Sequence, residues 1–500
     1  MANFEDVTRR AKILSDTRRN FLTTGAAGLG ALYLATQSGL ASGKAGTSSG
    51  RDDQLSFARD PRTPLSVLSP QFRPRAKRVI FLHMGGAPSQ LELFDHKPTL
   101  TKFTGKPTPP SLLIGKRFAF ISGIPKLMGS HYPFHQSGQA GAWISDRMPN
   151  LEKHIDDLTF IKSMRTDQFN HAPAQLLFQT GNARLGSASM GSWVTYGLGT
   201  ENQNLPGYIV LLSGEYTPDG GKQLWGSGYL PSAYQGVECR SDGDPVLYLS
   251  NPDGVSRTVR RNVLNAVDKI NNETFAQTGD NEIVSRIAQY EMAFRMQTEA
   301  SEAMDIKKES AATLAKYGAV PGKRSFANNA LVARRLAERG VRFIQLYHLS
   351  WDAHGGSEFL SMENRLSKRC EETDQAVGAL LSDLKERGLM KDTLIVWGGE
   401  FGRTSMQETR PNQQYPGRDH NPDAFTVWLS GGGVKGGYTH GETDDLGYQI
   451  TKSPVDVRDL HATILYLLGY DYKKLSFDYQ GLAQKLTGVL PAKVVGEILA

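Results

Sequence analysis

The sequence predicts an α/β protein with a doubly wound, mostly parallel sheet and helices on both faces. From residue 325 onward, segments of helical periodicity alternate with short apolar runs, and this alternation is typical of parallel sheets. Several runs end in glycines or polar residues, as strands do at the ligand-binding edge of an open sheet. The composition, 39% hydrophobic and 22% charged, is ordinary for a globular protein. The length predicts one large domain with insertions, or two domains.

The N-terminal segment, residues 1–41, resembles a twin-arginine export signal. Arg18 and Arg19 precede an apolar run of small residues from about 21 to 40, and a cleavage site can follow at Ala41. This resemblance implies a periplasmic or secreted protein. The alternative interpretation is a basic N-terminal anchor rich in glycine and alanine. No other stretch approaches about 18 consecutive apolar residues, so we expect no mature membrane span.

The charge distribution argues against nucleic acid as a partner. The formal net charge is +6, but residues 1–46 contain six basic and three acidic residues and so contribute +3 of it. The rest of the chain is too nearly neutral for a nucleic-acid-binding surface. Two cysteines, Cys239 and Cys370, allow at most one disulfide, which the sequence neither requires nor excludes.

The elements follow from short apolar runs and helical spacing. A polar linker, residues 42–75, precedes a domain predicted to span 76–490. The predicted strands are 78–82, 158–162, 208–212, 341–347, 393–398 and 425–429. The predicted helices are 148–155, 170–180, 325–339, 361–387 and 457–468. Two insertions are expected, one of loops and short elements at about 214–280 and one helical at about 281–320.

Histidine and carboxylate residues follow successive predicted strands. Asp352 and His354 follow one strand, Glu400 follows the next, and His420 lies in a loop before a third. Because such strand ends meet at one edge of the sheet, these side chains form a mixed nitrogen and oxygen set. Such a set suits a divalent metal, namely zinc or manganese, or calcium if carboxylates and water dominate.

Each of these residues also has a structural interpretation. The segment with Asp352 and His354 is compatible with a capped turn, and His420 with a loop histidine held by a neighbouring aspartate. Arg403 is placed to bind an anionic substrate with both branches of its guanidinium group. The same arginine is equally well explained as the partner that neutralises Glu400.

Several motifs resemble a known family. Residues 148–151 and 171–181 look like the sulfatase pattern in which Pro-Asn-Leu precedes the nucleophile segment and a Thr-Gly pair. Further motifs lie at 83–90, 190–199, 398–404, 417–422 and 459–463. Together they resemble the DUF1501-type family of twin-arginine-exported, sulfatase-like proteins in the alkaline phosphatase superfamily. The resemblance implies an alkaline phosphatase/sulfatase-like fold and metal-activated transfer of phosphoryl or sulfuryl groups.

The first-strand end departs from the superfamily pattern. The carboxylates that usually bind metal there fall on Gly85 and Gly86. That part of the metal site is therefore absent, or another residue supplies it, such as Asp95 or His83.

The nucleophile position of the pattern falls on His171. A histidine at this helix start can be phosphorylated, act as a general base or bind a metal. The sulfatase pattern has an arginine two residues after the proline, where this chain has Gln175. The resemblance therefore narrows the reaction class, but these changes leave both an active and an inactive protein as alternatives.

Two functions follow. The first is an exported metal-dependent hydrolase of phosphate or sulfate esters, whose partner is an anionic ester substrate. The second is a catalytically inactive, sulfatase-like binding or assembly protein of the periplasm, whose partner is another exported protein. The residues assigned to the metal are Asp352, His354, Glu400 and His420, and those assigned to catalysis are His171 and Arg403.

Overall fold

The structure, a computed structural model, describes residues 60, 63–214, 216–240, 246, 249–410 and 413–500. All of them belong to one compact unit, residues 55–500. The predicted export signal and most of the predicted linker lie outside the described residues. Within those residues, no helix has the length and apolar character needed to cross a bilayer.

The secondary structure of the described residues is as follows. The strands are β1 (Arg78–Met84), β2 (Phe134–Ser137), β3 (Ala142–Ser145), β4 (Leu158–Arg165), β5 (Tyr208–Ser213), β6 (Val237–Cys239), β7 (Phe343–His348), β8 (Thr393–Gly398), β9 (Gly402–Gln407), β10 (Arg418–Asn421), β11 (Phe425–Gly431), β12 (Tyr438–His440), β13 (Glu442–Thr443), β14 (Ile450–Lys452), β15 (Val455–Asp456), β16 (Phe477–Tyr479) and β17 (Leu482–Gln484). The helices are α1 (Gln90–Leu93), α2 (Pro98–Lys102), α3 (His171–Thr180), α4 (Met190–Leu198), α5 (Arg257–Thr278), α6 (Asn281–Met304), α7 (Ala311–Tyr317), α8 (Phe326–Glu338), α9 (Ser367–Glu386) and α10 (Val457–Leu467).

In the described part of the chain, the central sheet has nine strands and is mostly parallel. Its order is β12-β4-β11-β8-β1-β7-β5-β6, with β15 also paired to β4. Among the described strands of this sheet, β11 is the one that runs antiparallel to its neighbours, β4 and β8. The segment between β8 and β11 contains the separate β9–β10 pair and no crossover helix, so the chain returns in the opposite direction. The predicted fold class is confirmed.

Side chains of the central strands alternate between two helical layers. In β1, Ile80 and Leu82 pack in the core that includes α8 and α9. Val79 and Phe81 pack in the core that includes α3, α4 and α10. This alternation is the period-two pattern of a strand buried on both faces, so helices cover both sides of the sheet as predicted.

Three predicted elements are wrong in detail. The region 214–280 was expected to contain loops and short elements, but α5 occupies 22 of its residues. Leu264 is the one buried residue of this helix. Val259, Val263 and Ile270 recur at helical spacing although they are exposed, so the pattern was present and the prediction missed it. The predicted helix at 148–155 is a short 3₁₀ turn, Glu152–Asp157. The predicted helix from 361 begins with a turn of π-helix, Met362–Leu366, before α9.

Both cysteines, Cys239 and Cys370, are buried, and neither is part of a disulfide. Burial raises the pKa of the Cys239 thiol to about 12, so this residue behaves as a small apolar side chain.

Candidate metal centre

The candidate site lies at the carboxyl edge of the sheet, where β1, β7 and β8 end. His171 is the first residue of α3, and Asp352 and His354 lie in the segment after β7. Glu400 directly follows β8. His420 was predicted in a loop, but it lies in β10, where it pairs with Arg403 of β9. The short β9–β10 sheet therefore positions the last histidine.

Four side chains converge at this edge. His171, Asp352, His354 and His420 place their donor atoms within 4.8 Å of one another. The Oδ1 atom of Asp352 lies 2.7 Å from Nε2 of His354. The same oxygen lies 3.4 Å from Nε2 of His171 and 3.5 Å from Nε2 of His420. Three imidazole nitrogens and one carboxylate oxygen therefore meet at a single point.

The outer nitrogens of two histidines are held by acceptors. His171 donates from Nδ1 to Oε1 of Glu400 over 2.7 Å. His420 donates from Nδ1 to the backbone carbonyl of Phe169 over 2.6 Å. A carbonyl only accepts hydrogen bonds, so the proton of a neutral His420 is assigned to Nδ1. Its Nε2 lone pair then faces the centre.

The third histidine has the same arrangement. His354 donates from Nδ1 to Glu408, a buried carboxylate that also pairs with Arg410. Its Nε2 lies 3.1 Å from Nε2 of His420. With both outer nitrogens protonated, two lone pairs face each other across this gap. Only a proton or a cation between them makes the contact favourable.

The charges of neighbouring groups keep Asp352, Glu400 and His171 ionised at neutral pH. Burial alone would raise the pKa of Asp352, but Arg403 and the surrounding histidines hold it well below its usual range. Burial opposes the charged form of His171, but the nearby carboxylates of Asp352 and Glu400 outweigh it and raise the pKa to about 9. The pKa of Glu400 falls to about 2 despite its burial, chiefly through His171. Burial lowers the pKa of His420 to about 4.

Glu400, predicted as a metal ligand, lies behind His171 and outside the four-residue cluster. Its side chain is fully buried. Besides the bond from His171, Oε1 accepts from the backbone N–H of Gly86 and from Nε2 of Gln175, each over 3.0 Å. Its Oε2 lies 3.6 Å from Nε2 of His83. In this position the carboxylate orients the imidazole ring.

Arg403, predicted to bind an anionic substrate, is buried with its nitrogens engaged. Nε donates to the carbonyl of Ala87 over 2.9 Å, and the terminal nitrogens donate to Gly86, to another backbone carbonyl and to Asp352. The arginine does neutralise a carboxylate, as the second interpretation proposed, but its partner is Asp352 instead of Glu400. It bonds the loop after β1, in which Ala87 has a φ of 57°, an uncommon conformation for alanine.

The glycines after β1 are required by the packing of the site. Gly86 has a φ of 100°, and a Cβ there would lie 2.7 Å from the backbone nitrogen of Asp352 and 2.9 Å from that of Trp351. A carboxylate residue cannot replace it in this conformation. Asp95, one suggested substitute, instead accepts from Thr443 over 2.5 Å and lies outside the cluster.

Two outer partners were not predicted from the sequence. Glu408 follows β9, and a carboxylate after a strand is the signal that could have identified it. That strand was not itself predicted, because its sequence, Gly402–Gln407, is mostly polar. The carbonyl of Phe169 has no sequence signal at all.

The mostly parallel sheet and the histidine–aspartate cluster define an α/β protein with a candidate metal centre. The chain belongs to the family described as "Protein of unknown function (DUF1501)", whose sequence model matches residues 76–499. The predicted family is thereby confirmed. No protein with a curated description matches the sequence.

Several solved structures are similar to this chain at low identity. A sulfatase from Pseudoalteromonas sp. is 13% identical, with 79% of this chain and 68% of that chain covered and a TM-score of 0.33. The alkaline phosphatase of the Antarctic bacterium TAB5 is 12% identical, with 79% and 98% covered and a TM-score of 0.33. A phosphonate monoester hydrolase from Silicibacter pomeroyi is 10% identical, with 79% and 73% covered and a TM-score of 0.32.

Proposed function

We propose that the protein is an exported metal-dependent hydrolase of phosphate or sulfate esters, with the metal held by His171, Asp352, His354 and His420. One observation carries the proposal: three Nε2 atoms point at one carboxylate oxygen while each Nδ1 is fixed by an outer acceptor. Metal-binding histidines in proteins are typically held in this way.

The donor set favours zinc. Three imidazole nitrogens and one carboxylate oxygen match the ligands and the coordination number of zinc. Manganese accepts the same donors, whereas calcium prefers oxygen ligands alone. We therefore propose zinc first, manganese second and calcium last.

The chain itself supplies positioning and access. A divalent cation bound here would lower the pKa of water and polarise an ester oxygen. The side chain of Asp352 is 31% exposed, whereas those of His354 and His420 are 9% and 5% exposed. Substrate therefore approaches from the Asp352 side. Nε2 of His171 is buried and faces the cluster, which fits a metal ligand better than a nucleophile.

A binding or assembly protein is the second candidate. The observation that favours it is the loop after β1, where Gly86 leaves no room for the carboxylates of the superfamily pattern. Within the described part of the chain, a single cluster of side chains could hold a metal ion. A hydrolase that uses this cluster would therefore bind one metal ion per chain.

The test compares metal content and hydrolysis in matched variants. Mature wild-type protein should contain about one zinc per chain and hydrolyse at least one aryl phosphate or aryl sulfate in a zinc-dependent manner. His354→Ala/His420→Ala should lose both properties. His135→Ala, which removes a histidine whose side chain is 45% exposed, should retain both. Folded wild-type protein without metal affinity would reject the hydrolase, and zinc binding without hydrolysis would favour the second candidate.

The proposed compartment is the periplasm or the exterior of the cell. It rests on the sequence of residues 1–41, which lie outside the described residues. Replacing Arg18 and Arg19 by lysine should retain the precursor in the cytoplasm, as cell fractionation would show. Undiminished export of that variant would contradict the proposed route.

A further inference from the structure

A cavity of about 410 Å³ opens at the carboxyl ends of β5 and β7. It is next to the segment that carries Asp352, because Ser350 is part of its wall. The side chains around it are mostly polar or aromatic. They include Tyr216, Phe326, His348, Arg369 and Glu372.

Ser350 connects this cavity to the metal centre. Its φ is 69°, a left-handed conformation that is uncommon for serine. Such strained residues cluster at ligand-binding sites. The carbonyl of Ser350 accepts a hydrogen bond from Nε of Arg365 over 2.8 Å, so one arginine is fixed two residues from the Asp352 ligand.

Arg365 lies in an unusual element. The turn Met362–Leu366 is π-helical, and single π-helical turns occur often at functional sites. The guanidinium carbon lies 5.4 Å from the centre of the Phe359 ring. Among the residues that the structure describes, the two terminal nitrogens of Arg365 have no hydrogen-bond acceptor. One branch of the side chain is therefore anchored and the other is available.

Electrostatics agree with this placement. Burial lowers the pKa of Arg365, whereas the charge of Asp352 raises it. The guanidinium group therefore lies within electrostatic range of the proposed metal ligand. Tyr216, a residue of the cavity wall that is 72% exposed, also raises the pKa of Arg365.

The neighbouring arginines are paired to different extents, and Nε of Arg369 is buried without a hydrogen-bond partner. Arg403 uses its nitrogens on backbone carbonyls and Asp352. Arg369 pairs with Glu372 over 3.1 Å, and that glutamate also lies 3.1 Å from Nε2 of His348. Arg365 differs from both: it bonds the segment that carries Asp352 and, among the described residues, its terminal nitrogens have no acceptor.

We propose that Arg365 binds the charged oxygens of the substrate's phosphate or sulfate group, and that the 410 Å³ cavity receives the remainder of the ester. This inference rests on the proposed function and adds the residue that selects an anionic substrate. A guanidinium group suits this role because its planar fork donates two parallel hydrogen bonds to a tetrahedral oxyanion.

The test measures binding of inorganic phosphate by titration calorimetry, with the full mature chain in metal-free and zinc-loaded forms. Arg365→Gln should weaken phosphate binding about tenfold or more, because a charged hydrogen-bonding partner is lost. Arg365→Lys should show a smaller loss, because it keeps the charge without the fork. The control Arg387→Gln removes an equal charge from a partly exposed ion pair with Glu338 and should bind phosphate like wild type.

The outcomes separate this proposal from the proposed function. Equal phosphate affinity in the Arg365 and Arg387 variants would overturn the role of Arg365, as would wild-type protein that binds no phosphate. Loss of zinc in Arg365→Gln would also overturn it, because the residue would then maintain the metal centre. If wild type binds no zinc, the hydrolase fails, yet an Arg365-dependent phosphate affinity of the metal-free protein would still support the anion site.

Discussion

Two buried polar clusters flank Asp419 in β10, and they differ in how completely their atoms are paired. Arg418, on one side, is fully buried. Its Nε and one terminal nitrogen donate to Glu92, and three backbone carbonyls accept from its terminal nitrogens. Every nitrogen of this guanidinium group therefore has an acceptor.

The histidine cluster on the other side is less completely paired, because three Nε2 atoms share one carboxylate oxygen, Oδ1 of Asp352. Nε2 of His420 faces Nε2 of His354 at 3.1 Å, although both rings already donate from Nδ1. Nε2 of His171 is buried without a hydrogen bond. A buried polar group without a full set of partners requires an explanation, and a bound ion is one such explanation. The comparison favours a structural role for the Arg418 cluster and supports the proposed metal-binding role of the histidine cluster.

The largest expected effect concerns the Arg418 cluster. Arg418→Met leaves the Glu92 carboxylate buried and unpaired, which should lower the free energy of unfolding by about 3–5 kcal/mol. Denaturant unfolding measures this loss, and Arg418→Met/Glu92→Leu should recover much of it because no charge remains unpaired. A loss below about 1 kcal/mol would show that the pair is not a structural element.

Zinc should stabilise the protein through the histidine cluster. At a free zinc concentration of about 1,000 times Kd, the free energy of unfolding should rise by about 4 kcal/mol. Thermal unfolding with and without zinc measures this change. His354→Ala/His420→Ala should show no zinc-dependent shift. An equal shift in that variant would place the bound zinc elsewhere.

The outer acceptors should affect zinc affinity without contacting the metal. Glu408→Gln keeps an oxygen for His354 but removes its charge, so zinc affinity should fall about 10- to 100-fold. Competition with a chromophoric chelator measures the affinity. Glu363→Gln, at a carboxylate whose side chain is 60% exposed, is the matched control. Equal affinities in both variants would contradict an outer role for Glu408.

The smallest effect is the release of a proton on zinc binding. The pKa of His171 is raised to about 9, so the metal-free protein holds this proton at pH 7 and must lose it to bind zinc. His420, with its pKa lowered to about 4, is already neutral there. Affinity should therefore fall as pH decreases below about 9.

Calorimetry in buffers of different ionisation enthalpy should show that about one proton is released for each zinc ion bound at pH 7. His171→Ala should release none. If wild-type protein releases almost no proton, zinc does not displace the proton of His171, and His171 does not bind the metal.

Much of the fold was predictable where periodicity is strong. Strands such as Thr393–Gly398 are apolar on both faces, and α8 shows clear helical spacing. Helix α5 was recognisable from the spacing of Val259, Val263 and Ile270 and was missed. The polar strands β9 and β10 could not be recognised, because their sequences lack apolar alternation. The antiparallel direction of β11 depends on these unpredicted elements.

The candidate site was predictable as a set of residue types at strand ends. Asp352, His354 and His420 were assigned to the metal from their places after or before strands, and the structure brings them together with His171. Glu400 behind His171 and the pairing of Arg403 with Asp352 were not foreseen. These depend on side-chain directions at the sheet edge, which strand spacing does not specify.

X-ray absorption spectroscopy of the zinc-loaded full chain tests the central claim most directly. We expect about four light-atom ligands at roughly 2.0–2.2 Å, with the outer-ring scattering of three imidazoles. In His354→Ala/His420→Ala the imidazole scattering should disappear together with the zinc. A six-oxygen shell, or fewer than two imidazoles in wild type, would contradict a metal centre built from His171, Asp352, His354 and His420.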